Sequence, residues 1–92
     1  MLQEHYPNRL CYLRRHRHLS QKQMATLVGL KDRTMISKYE HGQVLPSFPV
    51  ESKFEIVFDA DGPDMFPKEF RHWRSEVDHV KDTKLKNKFS AT

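Results

Sequence analysis

The sequence predicts an all-α domain, and three observations predict it. Apolar residues recur at three- and four-residue intervals along most of the chain, the period of a helix with one buried face. Glycine is scarce, 3 of 92 residues, where a β-sandwich with many tight turns would use more. The periodic stretches also carry helix punctuation, with Ser20 and Ser47 as caps and Gly29 and Gly42 as stops.

The first helix is expected over about residues 7–17, with Pro7 in its first turn and Tyr6, Leu10 and Leu13 on one face. The cluster RRHRH at 14–18 puts cations near its C-terminal end, where the helix dipole favours them. A second helix follows over 21–28. Ser20 can receive the amide of Gln23, and the Gln23 side chain can reach back to Ser20, which is a capping box. Met24, Leu27 and Val28 supply its apolar positions, and Gly29 suits a left-handed stop. A third helix over 33–41 has Asp32 as its N-cap, Ile36 and Tyr39 facing inward, and Gly42 as its stop.

Pro46 and Pro49 bracket the next turn, and Ser47 opens a fourth helix over 48–58. Val50, Phe54, Val57 and Phe58 make that helix the expected centre of the core. The DADGPD run at 59–64 reads as a loop or cap, followed by one turn holding Met65 and Phe66. From Pro67 a longer helix is expected to about Lys86. The remaining tail loses its periodicity and is expected to fray. These elements group as a domain over 1–67 and a C-terminal helix with its tail over 68–92.

Ninety-two residues hold one domain, with a modest core that needs several packed helices. No run approaches the ~18 apolar residues of a membrane span, and the N-terminal stretch MLQEHYPNRL lacks a signal peptide's apolar segment. Cys11 is the only cysteine and cannot form an internal disulfide, so a reducing, cytoplasmic setting is expected. Cys11 itself reads as a small residue on the first helix. Net charge is +4, and its distribution says more. Residues 1–47 hold 8 Lys/Arg against 3 acids, whereas residues 48–92 hold 8 against 9. A basic N-terminal half suits a polyanionic partner.

Helices two and three, joined by a glycine turn, form a helix-turn-helix. Its second helix exposes Arg33, Thr34, Ser37 and Lys38, donors able to enter a DNA major groove. The flanks carry a wider pattern: Leu10, Leu13 and Arg14; Leu19, Ser20 and Gln21; Ala25 and Gly29; Ile36, Ser37, Lys38, Glu40 and Gly42; then Pro46. This pattern resembles the phage-repressor and Cro-like (XRE-like) DNA-binding domain over residues 7–67. The resemblance implies a lambda-repressor-like five-helix fold with an added C-terminal helix. It also implies double-stranded DNA as partner and transcription regulation as function. One departure is plain: the family places six residues from turn glycine to recognition-helix Ile, and Gly29 to Ile36 is seven. That spacing leaves the register of the base-reading side chains open.

The resemblance implies a role for each polar position. Gln21 meets a phosphate or the edge of the site, and Arg33 and Thr34 enter the groove. Arg33 can contact guanine in bidentate fashion, worth ~1–3 kcal/mol of discrimination. Lys38 reaches a base or phosphate, and Ser37 does the same at shorter range. Lys31, His41 and Gln43 flank the helix as phosphate contacts. Glu40 pairs with Arg14 as scaffold, while Arg9, Arg15 and Arg17 read as a solvated face.

Six histidines raise the question of a metal. His16 and His18 fall on different helix faces, and His72 and His79 lie two turns apart, so no metal site is expected. No glycine-rich phosphate loop, nucleophile elbow or carboxylate pair points to an enzyme or a cofactor. Phe70, Trp73, Val77 and Val80 follow the 3-4-3 spacing of a coiled-coil seam. That stripe packs either on this chain's own first and fourth helices or on a second copy in a homodimer. The rival reading is a protein-interaction module, an antitoxin or adaptor that holds a partner protein through the same stripe.

Overall fold

A computed structural model of the chain describes residues 6–84, and every regular element in that span is helical. The elements are α1 (Leu10–His16), α2 (Gln21–Leu27), α3 (Thr34–Glu40), α4 (Phe48–Phe58), α5 (Gly62–Met65) and α6 (Pro67–Thr83). The end expected near Lys86 lies outside the described residues. No helix among them is long and apolar enough to cross a membrane.

Helices α1, α2 and α3 are each seven residues long, two turns, and close with the same device. At each C-terminus one residue turns left-handed, so its own amide and the next bond back to otherwise orphaned carbonyls. After α2, Gly29 (φ 79°) donates to Thr26 and Leu30 donates to Ala25. After α3, Gly42 (φ 72°) donates to Tyr39 and Gln43 donates to Lys38. After α1, the amides of His18 and Leu19 bond to Arg15 and Arg14 in the same way. His18, however, holds φ 59° with a side chain attached.

The starts are equally specific. Ser20 and Gln23 form the expected capping box on α2, with bonds of 3.0 and 2.8 Å. Ser47 caps α4 by receiving the Val50 amide, and Asp61 caps α5 by receiving the Asp64 amide. Helix α1 departs from expectation because Pro7 precedes it rather than opening it. Asn8 is the reason: its buried side chain accepts the Leu10 amide and donates to the Tyr39 carbonyl, at 3.0 and 2.8 Å. That bond fixes the entry to α1 against the end of α3.

The core gathers Leu10, Met24, Ala25, Val28, Ile36, Tyr39, Phe54, Phe58, Met65 and Phe66. Phe54 is fully buried at its centre, edge-on to Tyr39 and beside Phe58. Leu13, Val50, Val57 and Phe70 pack around it. Leu27 does not join them and is 55% exposed. At about 100° per residue, Met24, Ala25 and Val28 share one sector of α2 and Leu27 falls outside it. Leu27 instead lines an open groove with Leu19 and Thr26.

Arg17 also leaves the solvated face expected for it. Its guanidinium donates to the Val57 and Phe58 carbonyls at 2.9 and 2.8 Å, closing the C-terminus of α4. Placing a cation there satisfies orphan carbonyls and the helix dipole together. Helix α6 leaves the core after its first turns: Phe70 packs inward, Trp73 is 39% exposed, and none of the helix is fully buried.

A left-handed backbone is disfavoured for a residue with a Cβ and nearly free for glycine. His18→Gly should therefore stabilise the domain by about 0.5–1 kcal/mol, measured as a higher urea midpoint with unchanged slope.

Candidate nucleic-acid interface

The interface is assembled from the inside of α3 outward. Ile36, Tyr39 and Glu40 occupy the buried side of this helix. The opposite side carries Thr34 and Lys38, both exposed, and Ser37, half-buried. Arg33 occupies the N-cap position itself. Asp32 still performs the capping bond, because its carboxylate accepts the Thr34 amide at 2.8 Å. That bond holds the Asp32 carboxyl below its usual pKa. The loop Leu30–Arg33 joins α2's stop to α3, which opens at Thr34. Leu30 packs on the core, and Lys31 is exposed at the turn.

Glu40 is completely buried and carries a charge that must be matched. Arg14 matches it with two bonds, Nε to Oε2 at 2.6 Å and Nη2 to Oε1 at 3.2 Å. The rest of the guanidinium is also engaged, with Nη1 donating to the Leu19 carbonyl and Nη2 to the Cys11 sulfur. Burial alone would lower the Arg14 pKa, but the Glu40 carboxylate outweighs it and the net shift is upward. Glu40 thus welds α3 to α1, as the pair expected from the sequence.

Gln21 adds a connection that the sequence did not suggest. Its Nε2 donates to Glu40 Oε1 at 3.0 Å, and its Oε1 accepts from Arg33 Nη1 at 3.3 Å. The carboxylate can only accept, so it orients the amide and leaves the amide oxygen facing Arg33. A continuous chain of contacts runs from buried Arg14 through Glu40 and Gln21 to exposed Arg33. Among the sequence-selected residues, this chain brings together Arg14, Gln21, Arg33 and Glu40.

At the other end of α3, His41 Nδ1 lies 2.8 Å from the Ser37 carbonyl, and its ring packs 5.1 Å from that of Tyr6. His41 and Gln43 are both exposed beside the Gly42 stop. Asn8 and Arg17 were not legible as structural residues, since their partners are backbone carbonyls distant in sequence. Among the described residues no three His, Cys, Asp or Glu side chains group as metal ligands.

Two short helices crossing at a glycine turn, with the second exposing donors beside a buried acid–arginine weld, define a helix-turn-helix protein. A family model described as helix-turn-helix matches residues 12–59, more than half of the chain. The chain belongs to that XRE-like family of DNA-binding proteins. No curated protein and no solved structure matched the chain.

Glu40→Gln should destabilise the domain by about 3–5 kcal/mol, because it strands the buried Arg14 charge. Replacing Arg14 and Glu40 together with Leu should cost far less than the two single changes combined. A double-mutant cycle in urea measures both.

Proposed function

We propose that the chain is a sequence-specific regulator of transcription that reads double-stranded DNA with α3 in the major groove. The observation that carries this reading is the division of α3 into a locked inner face and a donor-rich outer face. Ile36, Tyr39 and Glu40 hold the helix rigidly, and Thr34, Ser37 and Lys38 are offered outward beside Arg33. A rigid helix places donors at base edges without an ordering cost at the moment of binding.

In this reading Arg33 and Lys38 contact bases, with Thr34 and Ser37 as shorter-range readers. Lys31, His41 and Gln43 grip the phosphates that flank the groove. Gln21, at the N-terminus of α2, touches the backbone edge of the site and steadies Arg33 through the bond it already makes. The positive excess of residues 1–47 supplies affinity that falls with salt. Residues 1–67 form the reading unit, acting in the cytoplasm without a cofactor.

Selection from a random duplex pool should enrich a defined motif, and an unenriched pool would sink the proposal. On the selected site, Arg33→Ala should relax preference at one base pair at a cost of ~1–3 kcal/mol. Lys31→Ala should weaken all sequences alike and flatten the salt dependence by about one charge. Fluorescence anisotropy at several salt concentrations separates the two effects.

A further inference from the structure

The lead-in to α1 and the first turns of α6 face each other across a cleft of about 240 Å³. Tyr6, Asn8 and Arg9 form one wall, and Pro67, Lys68 and Arg71 form the other. Cations from two segments distant in sequence thus share one small space. No Asp or Glu among the described residues lines it. The ion pairs of the described residues engage Arg14, His72 and Lys81, and none engages Arg9, Lys68 or Arg71. Like charges held together repel one another, and an arriving anion relieves that repulsion while attracted by all of them.

The walls are preformed. Asn8 is buried and anchored by its bonds to the Leu10 amide and the Tyr39 carbonyl. The Arg9 amide donates to the Met65 carbonyl at 2.9 Å, stitching the entry of α1 to the turn that leads into α6. Pro67 then opens α6 with a fixed backbone angle. The Arg9 guanidinium lies 5.1 Å from the centre of the Tyr12 ring. That contact uses the face of the group and leaves its in-plane N–H donors for another partner. Cations on a fixed frame meet a ligand without the cost of assembling the site.

Size and charge narrow the ligand. At ~30 Å³ per water the cleft holds the volume of about eight waters, below the ~300 Å³ at which drug-sized sites begin. That space suits one or two phosphate groups and excludes a large cofactor. The two guanidiniums can grip phosphate oxygens in pairs, and Lys68 adds a point charge. Such a cluster matches a multiply charged anion better than the single charge of a nucleic-acid diester.

We propose that this cleft binds a small phosphate-bearing anion, a phosphomonoester or a diphosphate. It is separate from the outward donors of α3 but adjoins the end of that helix. Tyr6 rests on the His41 ring, and Pro7 packs closely against Gly42. A duplex arm in the experiment therefore distinguishes a free phosphate from one in a nucleic-acid backbone.

Pyrophosphate is the probe. Titrated into the isotope-labelled full chain at constant ionic strength, it should shift the amides of Arg9, Lys68 and Arg71 saturably, with a dissociation constant on the order of 0.1 mM. Lys68→Gln combined with Arg71→Gln should weaken binding roughly tenfold. Arg15→Gln combined with Lys22→Gln removes two exposed cations elsewhere and should leave binding unchanged. Circular dichroism of each variant checks that the fold is intact.

A chain with no saturable shift up to about 10 mM pyrophosphate overturns the site. So does a Lys68→Gln, Arg71→Gln chain that binds like the parent, or a shift as strong at Arg15 and Lys22 as in the cleft. In the second arm a short duplex of arbitrary sequence replaces pyrophosphate. Cleft shifts that appear with the duplex and not with pyrophosphate overturn the small-anion assignment and give the cleft to the nucleic-acid backbone. The site stands apart from the DNA reading, since pyrophosphate binding requires no nucleic acid.

Discussion

The ion pair between Arg14 and Glu40 is the constraint on which the rest of the domain depends. A carboxylate with no exposed surface cannot stand alone, and the guanidinium that meets it is itself engaged on all three nitrogens. The pair therefore fixes α3 relative to α1 in angle and in register. Isolated hydrophobic contacts would tolerate sliding between two short helices, whereas a two-pronged charge pair does not. Through Gln21 the same carboxylate reaches outward and sets the resting place of Arg33. A buried scaffold contact and an exposed candidate reader are thus one connected system, and neither can be altered without consequence for the other.

Most of the architecture was legible in the sequence because it is written in local signals. Capping residues, left-handed stops and apolar periodicity act within four residues, so Ser20, Gly29, Gly42 and Ser47 mark boundaries accurately. The Arg14–Glu40 pair was legible only through resemblance to a known family, since nothing local announces a contact 26 residues apart. Asn8 and Arg17 escaped for the same reason, and their partners are backbone carbonyls that no side-chain pattern reveals. Leu27 was misread because the face α2 buries runs from Met24 through Val28 to Ala25, and Leu27 lies about 60° beyond Met24 on the other side. The seven-residue step from Gly29 to Ile36 was visible, but its effect was not. Leu30 packs on the core and Asp32 receives the Thr34 amide, so α3 opens at Thr34.

Helix α6 has a different character from the five before it. Those helices are short and bury a face against several neighbours, while α6 runs 17 residues and leaves most of its apolar stripe to solvent. Its charged side chains meet one another along the helix, His72 at 3.2 Å from Glu76 and Lys81 at 3.7 Å from Asp78.

The shortness of α1, α2 and α3 has a consequence for how the recognition surface comes into being. Helices of two turns lie far below the ~12–15 residues at which an isolated helix persists in water. None of the three can exist ahead of the others, and α3 acquires its shape only when Phe54 and Phe58 of α4 close the core beneath it. Formation of the outer face is therefore all-or-none, with no half-built version able to present one or two of its side chains. The concentration of chains that present this face is set by the folding equilibrium of the whole domain.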